Sequence, residues 1–490
     1  MAVTPFLAIT LDGSATGPAL YRQLYEGIRA MILDGRLAVG VRLPASRTLA
    51  SDLGVSRNTV TTAFDQLIAE GYLDSRRGAG TYVSTELPDA VPQVAAPPMP
   101  ADGEDGPRLS RRGQALSAIS RGAARRPRPF AAGLPALDAF PFDLWARLLS
   151  ASWRQPRDGV AMSVDPGGYA PLRRAIADYL QAARGVRCSA DQVIVVSGAQ
   201  TAIHLVAQVL LDPGDRVLVE EPGYAGIRGA LIAAGAEAVP TAVDDQGLDV
   251  AAAAAGLPAR LVCVTPSHQF PLGVVMSLAR RLELLDWAGR HDAWILEDDY
   301  DSEYRYAERP LAALQGLDRH GRVVYVGTFS KVMFPSLRLG YLVVPPALVD
   351  AFIGARSVLD DHASLLAQPA LARFIEEGHF AAHLRRMRRL YAARQQALLA
   401  AAETYLGDLL DVRADPAGMH LIADLAPGLG ARMTDREAAH RAAVHGVVTN
   451  RLSAFYAGPA ARQGLLLGYA GFSDGQIANA ARRLRAALVD

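Results

Sequence analysis

The sequence predicts an α/β protein in two parts, a small helical unit over 18–84 that ends in a hairpin and a large domain over 130–490 built on a mostly parallel sheet, with a flexible connector over 85–129. Three observations carry this. Apolar residues recur at helical spacing near the N-terminus, and the stretch after Thr85 is rich in Pro, Ala, Gly and Asp with no sustained apolar period. From Phe130 onward, short apolar runs alternate with alanine-rich helical segments. Half of the 490 residues are hydrophobic, enough for more than one buried core. Fifty basic residues balance fifty acidic ones, so any nucleic-acid contact must come from a local basic patch. Cys188 and Cys263 cannot make a disulfide framework and neither has a histidine or second thiol at metal-ligand spacing, which fits a reducing cytoplasm. No basic-headed apolar leader opens the chain and no run of about eighteen apolar residues occurs, so a cytoplasmic protein without membrane contact is expected.

In LYRQLYEGIRAMIL, Leu20, Leu24, Ile28 and Ile32 share a face that Tyr21, Tyr25 and Met31 widen, the pattern of an amphipathic helix. A second helix is expected in SRTLASDLG, capped by Ser46 and stopped by Gly54. A third follows in VSRNTVTTAFDQLIAEGYL, with Val60, Phe64, Leu67 and Ile68 facing the core. Two helices joined by a glycine turn form a helix-turn-helix, so Ser56, Arg57, Asn58 and Thr59 at the start of the third are the expected reading head for base edges and phosphates. LDSRRGAGTYV then reads as a wing, with Gly78 and Gly80 at a tight tip and Arg76 and Arg77 set against the backbone or minor groove. Eight arginines against six acids from Leu20 to Val83 are too small an excess to argue DNA binding alone. The order of elements argues it better. LAVGVRLP, SRTLASDLGVSRNTV, EGYL and GAGTYV together resemble the winged helix-turn-helix of the GntR superfamily of bacterial regulators. That resemblance implies operator DNA as a partner and Arg47, Ser56, Arg57 and Thr59 as contacts to it. The connector's arginines in RGAARRPRP are read as solvating it, and its length lets the first unit rest on a partner subunit.

In the large domain the strands QVIVV, RVLVE, RLVCV, AWILE, RVVYV and GYLVV should end on a common edge where ligands bind. Ser197, Gly198, Ala199 and Gln200 follow the first and open a helix, an anion seat made of backbone N–H groups. Tyr224 follows the second and can stack on a flat cofactor. After AWILE comes a crowd of acids, Asp298, Asp299, Asp301 and Glu303. Such a crowd can mark a two-metal site, though His268 is the only histidine at a neighbouring strand end. A single acid, Asp298, can instead keep a ring nitrogen protonated, with Tyr300 donating to a phenolate oxygen. Lys331 is the only lysine, the other forty-nine basic residues being arginine. A lysine amine can lose its proton and form a Schiff base where an arginine cannot. Ser330 and Arg338 beside it suit a phosphate.

DPGGYAPLRRAIADYL, SGAQTAI, EEPGY, TPSHQFPLG, EDDYDSEYRY and GTFSKVMFPSLRLGYLVVP together resemble the fold type I aminotransferases that bind pyridoxal 5′-phosphate. By that resemblance Lys331 carries the Schiff base, Gly198, Ala199, Gln200, Tyr224, Asp298, Tyr300, Ser330 and Arg338 hold the cofactor, Gln269 lies near the ring's oxygen side, and Tyr169 reaches the partner's phosphate site in a dimer. HQFPLG stands where true aminotransferases have an Asn-Pro turn. The fusion as a whole resembles the MocR branch of the GntR superfamily, transcription regulators that form head-to-tail homodimers and sense the cofactor or an amine bound to it. Two departures bear on the signal. Leu466 in GLLLGYAGF stands where aminotransferases place a carboxylate-binding arginine, and Gly226 stands where GABA-responsive members have one, Arg228 being out of register. The cofactor itself, as in members that control vitamin B6 synthesis, is therefore the expected signal. An active aminotransferase with a DNA-binding appendage is the alternative, and a metal hydrolase the third.

Overall fold

The computed structural model describes residues 9, 11–12, 18–76, 80–88, 109–119, 128–154, 165–251, 258–306 and 312–489. It divides into two compact units, Met1–Pro107 and Arg108–Asp490.

The first unit packs α1 (Leu20–Leu33), α2 (Ser46–Leu53) and α3 (Arg57–Ala69) with an antiparallel hairpin of β1 (Leu73–Arg76) and β2 (Gly80–Val83). Leu24, Ile28, Met31 and Ile32 form the buried face of α1, as their spacing requires, but Tyr21 is 38% exposed and does not widen it. Ser46 does not cap α2. The N-cap is Ala45, held extended behind Pro44, and Ser46 is the first helical residue, with no side-chain cap bond. Gly54 ends α2 in the left-handed conformation, φ +65°. On α3, Val60, Phe64 and Leu67 are buried and Ile68 is half-buried. Each such buried side chain contributes about 1.5–3 kcal/mol. The wing's register pairs Leu73 with Val83 and Arg76 with Gly80. Arg77 and Gly78 lie outside the described residues.

In the second unit the expected connector is interrupted by a helix, α4 (Arg111–Ala118), and α5 (Phe142–Arg154) and α6 (Ala170–Arg184) precede the main sheet. Ser110 caps it through Gly113 N at 3.0 Å, and Arg112 donates to Ala233 O at 3.1 Å. No side chain of α4 is buried, so no apolar period could announce it. The main sheet has eight strands: β3 (Val193–Val196), β4 (Arg216–Glu221), β5 (Glu237–Asp244), β6 (Gly247–Leu248), β7 (Leu261–Val264), β8 (Trp294–Asp299), β9 (Val323–Thr328) and β10 (Gly340–Val343), in the order β3-β10-β9-β8-β7-β4-β5-β6. Pairings β4 with β5, β4 with β7, β7 with β8 and β8 with β9 are parallel; β10 runs antiparallel between β3 and β9. Successive residues of β3 enter different cores, Val193 and Val195 with Trp145 and Phe374, Ile194 and Val196 with Ile227 and Phe352. Burial on both faces is why these strands read as unbroken apolar runs. Strands β3, β4, β7, β8 and β9 end on one edge, which gathers the turns that follow them.

A second sheet, which the alternation of strand and helix does not foretell, is antiparallel: β11 (Leu410–Val412), β12 (His420–Leu425), β13 (Asn450–Arg451) and β14 (Gly464–Gly468), in the order β11-β12-β14-β13. Leu421 and Leu467 of this sheet share one core with Tyr325 and Tyr341 of the main sheet. Among the described residues no helix is long and apolar enough to cross a membrane.

Candidate functional site

The acids at the end of β8 have separate duties. Glu297 accepts the backbone N–H groups of Leu314 and Gln315, both at 2.8 Å. Asp299 accepts from Arg184 Nε at 2.9 Å and from the Tyr325 hydroxyl at 2.5 Å, a pair sealed from water. Asp301 faces His268 Nδ1 at 3.1 Å, and Glu303 accepts from the Tyr179 hydroxyl at 2.9 Å. Asp298 has no such anchor: its Oδ1 is buried without a hydrogen-bond partner. Burial first, then the charges of Asp299, Glu220 and Asp301, push its carboxyl up to about 7, with Lys331 pulling the other way. A buried carboxylate left unpaired is costly, so this oxygen calls for a donor. The acids do not converge on a point, and among the described residues no group of three or more His, Cys, Asp or Glu is arranged to hold a metal ion.

Beyond β3, Gly198 is the N-cap of α7 (Ala199–Leu210) at φ +109°, a conformation that favours glycine, and no side chain caps the helix. A Cβ at this position would stand 3.4 Å from the guanidinium atoms of Arg338. Arg338 is itself left-handed at φ +52°, a conformation that costs a non-glycine residue about 1–3 kcal/mol and is found at functional sites. An open helix N-terminus facing a guanidinium repels it unless an anion lies between them. Ser330 Oγ, buried without a partner, adds a donor from the turn after β9.

Lys331 follows in the same turn. Its Nζ donates to Gly133 O at 2.9 Å, and its carbonyl accepts from the Tyr304 hydroxyl at 3.3 Å. Tyr224 stands at the N-cap position of α8 (Ala225–Ala234) without a side-chain cap bond, its ring edge-on to Phe270 at 6.0 Å. Gln200 spends its side chain on structure, donating to Gly226 O at 2.8 Å, so its contribution to an anion seat is its backbone. Gln269 is held by structural bonds in the same way. Its amide nitrogen donates to Pro222 O and Phe270 O, both at 2.8 Å, and its oxygen accepts from Leu272 N at 3.0 Å, which makes it a strut of its own loop. The Tyr300 hydroxyl lies 3.1 Å from His268 Nδ1. Tyr169 precedes the helix Ala170–Arg184, its N–H bonded to Gln368 Oε1 at 2.9 Å and its side chain half-buried.

In the first unit, Arg47 and Arg57 are exposed. Ser56 caps α3, its Oγ accepting from Thr59 N at 3.1 Å and pairing with Thr59 Oγ1 at 2.8 Å, so both hydroxyls hold the helix start that presents Arg57. The Arg76 guanidinium lies over the Tyr82 ring, 4.9 Å from its centroid.

Residues 145–484 match the family of class I and II aminotransferases, and residues 20–83 match the gntR family of bacterial regulatory proteins. The probable rhizopine catabolism regulatory protein MocR of Rhizobium meliloti is 46% identical over 98% of this chain and 96% of its own. The chain belongs to the MocR family. The pyridoxine biosynthesis transcriptional regulator PdxR of Corynebacterium glutamicum is 32% identical over 91% of each chain. Among solved structures, the α-aminoadipate aminotransferase LysN of Thermus thermophilus, complexed with N-(5′-phosphopyridoxyl)-L-leucine, matches with a TM-score of 0.70 at 28% identity over 77% of this chain and 97% of its own.

For a MocR-family chain, the groups gathered at the sheet edge fit a phosphorylated pyridine aldehyde. They comprise an open helix start at Gly198 and Ala199 beside Ser330 and Arg338, an acid at Asp298 with a buried, unpartnered oxygen, a ring at Tyr224 and an amine at Lys331. Sequence reasoning missed the groups that support these. Glu220, buried and pushed up to about 7 by burial, accepts from Thr265 and Gln269 and ties two strand ends together. Phe270 packs edge-on against both Tyr224 and Tyr300. Asp415, from the turn before β12, reaches His268. The acid run after β8 gave no sign of which partners each acid would find, because those partners are distant in sequence.

Proposed function

We propose that this regulator binds operator DNA through its first unit and holds pyridoxal 5′-phosphate at Lys331, its affinity for DNA depending on whether the cofactor, or an amine joined to it, is bound. The observation that carries the reading is the buried, unpartnered Oδ1 of Asp298, which a protonated ring nitrogen would satisfy. When bound, the cofactor supplies an electrophilic carbon for the lysine and a ring that draws electrons. The chain's own residues do the rest: Asp298 keeps a proton on the ring nitrogen, Ser330, Arg338 and the start of α7 fix the phosphate, and Tyr224 covers the ring. The names of PdxR and MocR point to control of pyridoxine synthesis and of a catabolic route in those proteins. For this chain the cofactor as signal is favoured by Leu466, wholly buried in β14 where a carboxylate-binding arginine would stand, and by Gly226. A ligand regulates only through different affinity for two states. We further propose a head-to-tail homodimer in the cytoplasm, with Tyr169 serving the partner's phosphate seat.

The test is operator binding by fluorescence anisotropy at rising pyridoxal phosphate, beside the absorbance spectrum. The reading predicts a visible band and a change in operator affinity. DNA affinity that ignores the cofactor but follows an added amine would leave only the amine-sensing form. A second reading, an active aminotransferase, draws on the same intact set of lysine, acid and phosphate seat. It predicts that amino acids bleach the band with turnover.

A further inference from the structure

His268 is 2% exposed and held from three directions. Its Nδ1 lies 3.1 Å from Asp301 Oδ2 and 3.1 Å from the Tyr300 hydroxyl, and its Nε2 lies 3.2 Å from Asp415 Oδ2. Asp301 and Tyr300 follow β8 of the main sheet, whereas Asp415 comes from the turn before β12 of the C-terminal sheet, and its other oxygen accepts Ala417 N at 2.9 Å. The ring therefore joins the two sheets at the edge of the candidate cofactor site. There is no slack around it: a Cβ at Gly418 would stand 2.3 Å from His268 Cε1, and one at Gly273 would stand 2.2 Å from Asp415 Oδ2.

A histidine with a carboxylate at each nitrogen donates from both, which only the imidazolium can do. Burial opposes the charge, but Asp301 and then Asp415 outweigh it and push the ring up to about 10. The other titratable neighbour, His420, has its ring 5.9 Å away and its Nε2 3.1 Å from Pro271 O. Burial and then the charge of His268 push its imidazole below the usual histidine range.

Tyr300 has two possible acceptors for its proton, the neighbouring Asp301 and the oxygen substituent of a bound cofactor. The single Nδ1–H is shared between Asp301 Oδ2 and the tyrosine oxygen, which turns the hydroxyl's own proton away from the imidazole. Asp301 Oδ1, buried without a partner, is the acceptor with which the cofactor's oxygen competes. We propose that His268 is a positioning residue: clamped between Asp301 and Asp415, it aims the Tyr300 hydroxyl at the cofactor's ring oxygen, and through Asp415 it makes that aim depend on the seating of the C-terminal sheet. The inference rests on the proposed binding of pyridoxal phosphate.

The test is a pH titration of the visible absorbance of the full-length protein with its cofactor, which reports the proton shared between the Lys331 nitrogen and the ring oxygen. A hydroxyl donated to that oxygen lowers the midpoint, so losing a charge-assisted bond raises it by about 1 pH unit. Tyr300→Phe and His268→Gln should both raise the midpoint, and Asp415→Asn should raise it less. His268→Gln added to Tyr300→Phe should shift it no further, because the histidine acts through the tyrosine. An unchanged midpoint in His268→Gln, or a full further shift in the Tyr300→Phe background, overturns the inference. If His268→Gln binds no cofactor, Asp415→Asn decides alone, an unchanged midpoint overturning the inference. A wild-type protein without a visible band overturns the cofactor reading itself and this inference with it.

Discussion

Two helix beginnings in this protein face opposite fates. Helix α3 is closed by its own serine: Ser56 Oγ takes the N–H of Thr59 and leaves the exposed arginine, Arg57, to make outside contacts. Helix α7 is left open, because Gly198 has no side chain with which to cap it and Arg338 crowds the space that one would fill. The first arrangement presents side chains and suits reading a surface whose sequence varies. The second presents backbone amides plus one guanidinium and suits a fixed, compact phosphate.

The sharpest way to break this contrast is to remove what the open helix serves. Lys331→Ala should abolish the visible band and any response of operator binding to pyridoxal phosphate, checked by absorbance and anisotropy, while the first unit still binds DNA. Gly198→Ala should come next. The residue must adopt φ +109° and place a Cβ against Arg338, so a cost of about 1–3 kcal/mol should weaken cofactor binding roughly tenfold or more, seen by spectral titration, with operator affinity in the absence of cofactor unchanged. Arg57→Ala should do the reverse, lowering operator affinity by about 1–3 kcal/mol and leaving the spectrum alone. Asp298→Asn tests the acid. Its carboxyl is raised from 3.8 to about 7, so the folded, cofactor-free protein holds a proton that the unfolded chain has lost. That contribution is present below about pH 4 and is lost as pH rises through 7. Asn should therefore flatten the fall in melting temperature between pH 4 and pH 7 and weaken cofactor binding. The smallest effect belongs to the closed helix: Ser56→Ala should cost the first unit about 1 kcal/mol by thermal melting.

The strand ends were legible because β3, β4, β7, β8 and β9 are buried on both faces and so read as apolar runs, each followed by the residue types that chemistry needs. The C-terminal sheet was not. β11 spans three residues and β13 only Asn450–Arg451, too few to show a period. Ser46 misled because a serine before a helix and a serine within its first turn look alike in a sequence, and only the backbone of Ala45 distinguishes them. Gln200 and Gln269 were expected at the site, but which way an amide turns depends on carbonyls it meets only in the fold. The His268 clamp was hidden for the same reason, since its second carboxylate comes from a turn in another sheet.

The solitary lysine has an analytical consequence. Among 490 residues only Lys331 carries a side-chain primary amine, so borohydride reduction of the cofactor-bound protein has one internal position to mark. The mass gained per chain then measures occupancy directly. With Nζ bonded to the Gly133 carbonyl at the base of the site, the rate at which an acylating reagent reaches this amine becomes a gauge of how open the sheet edge is.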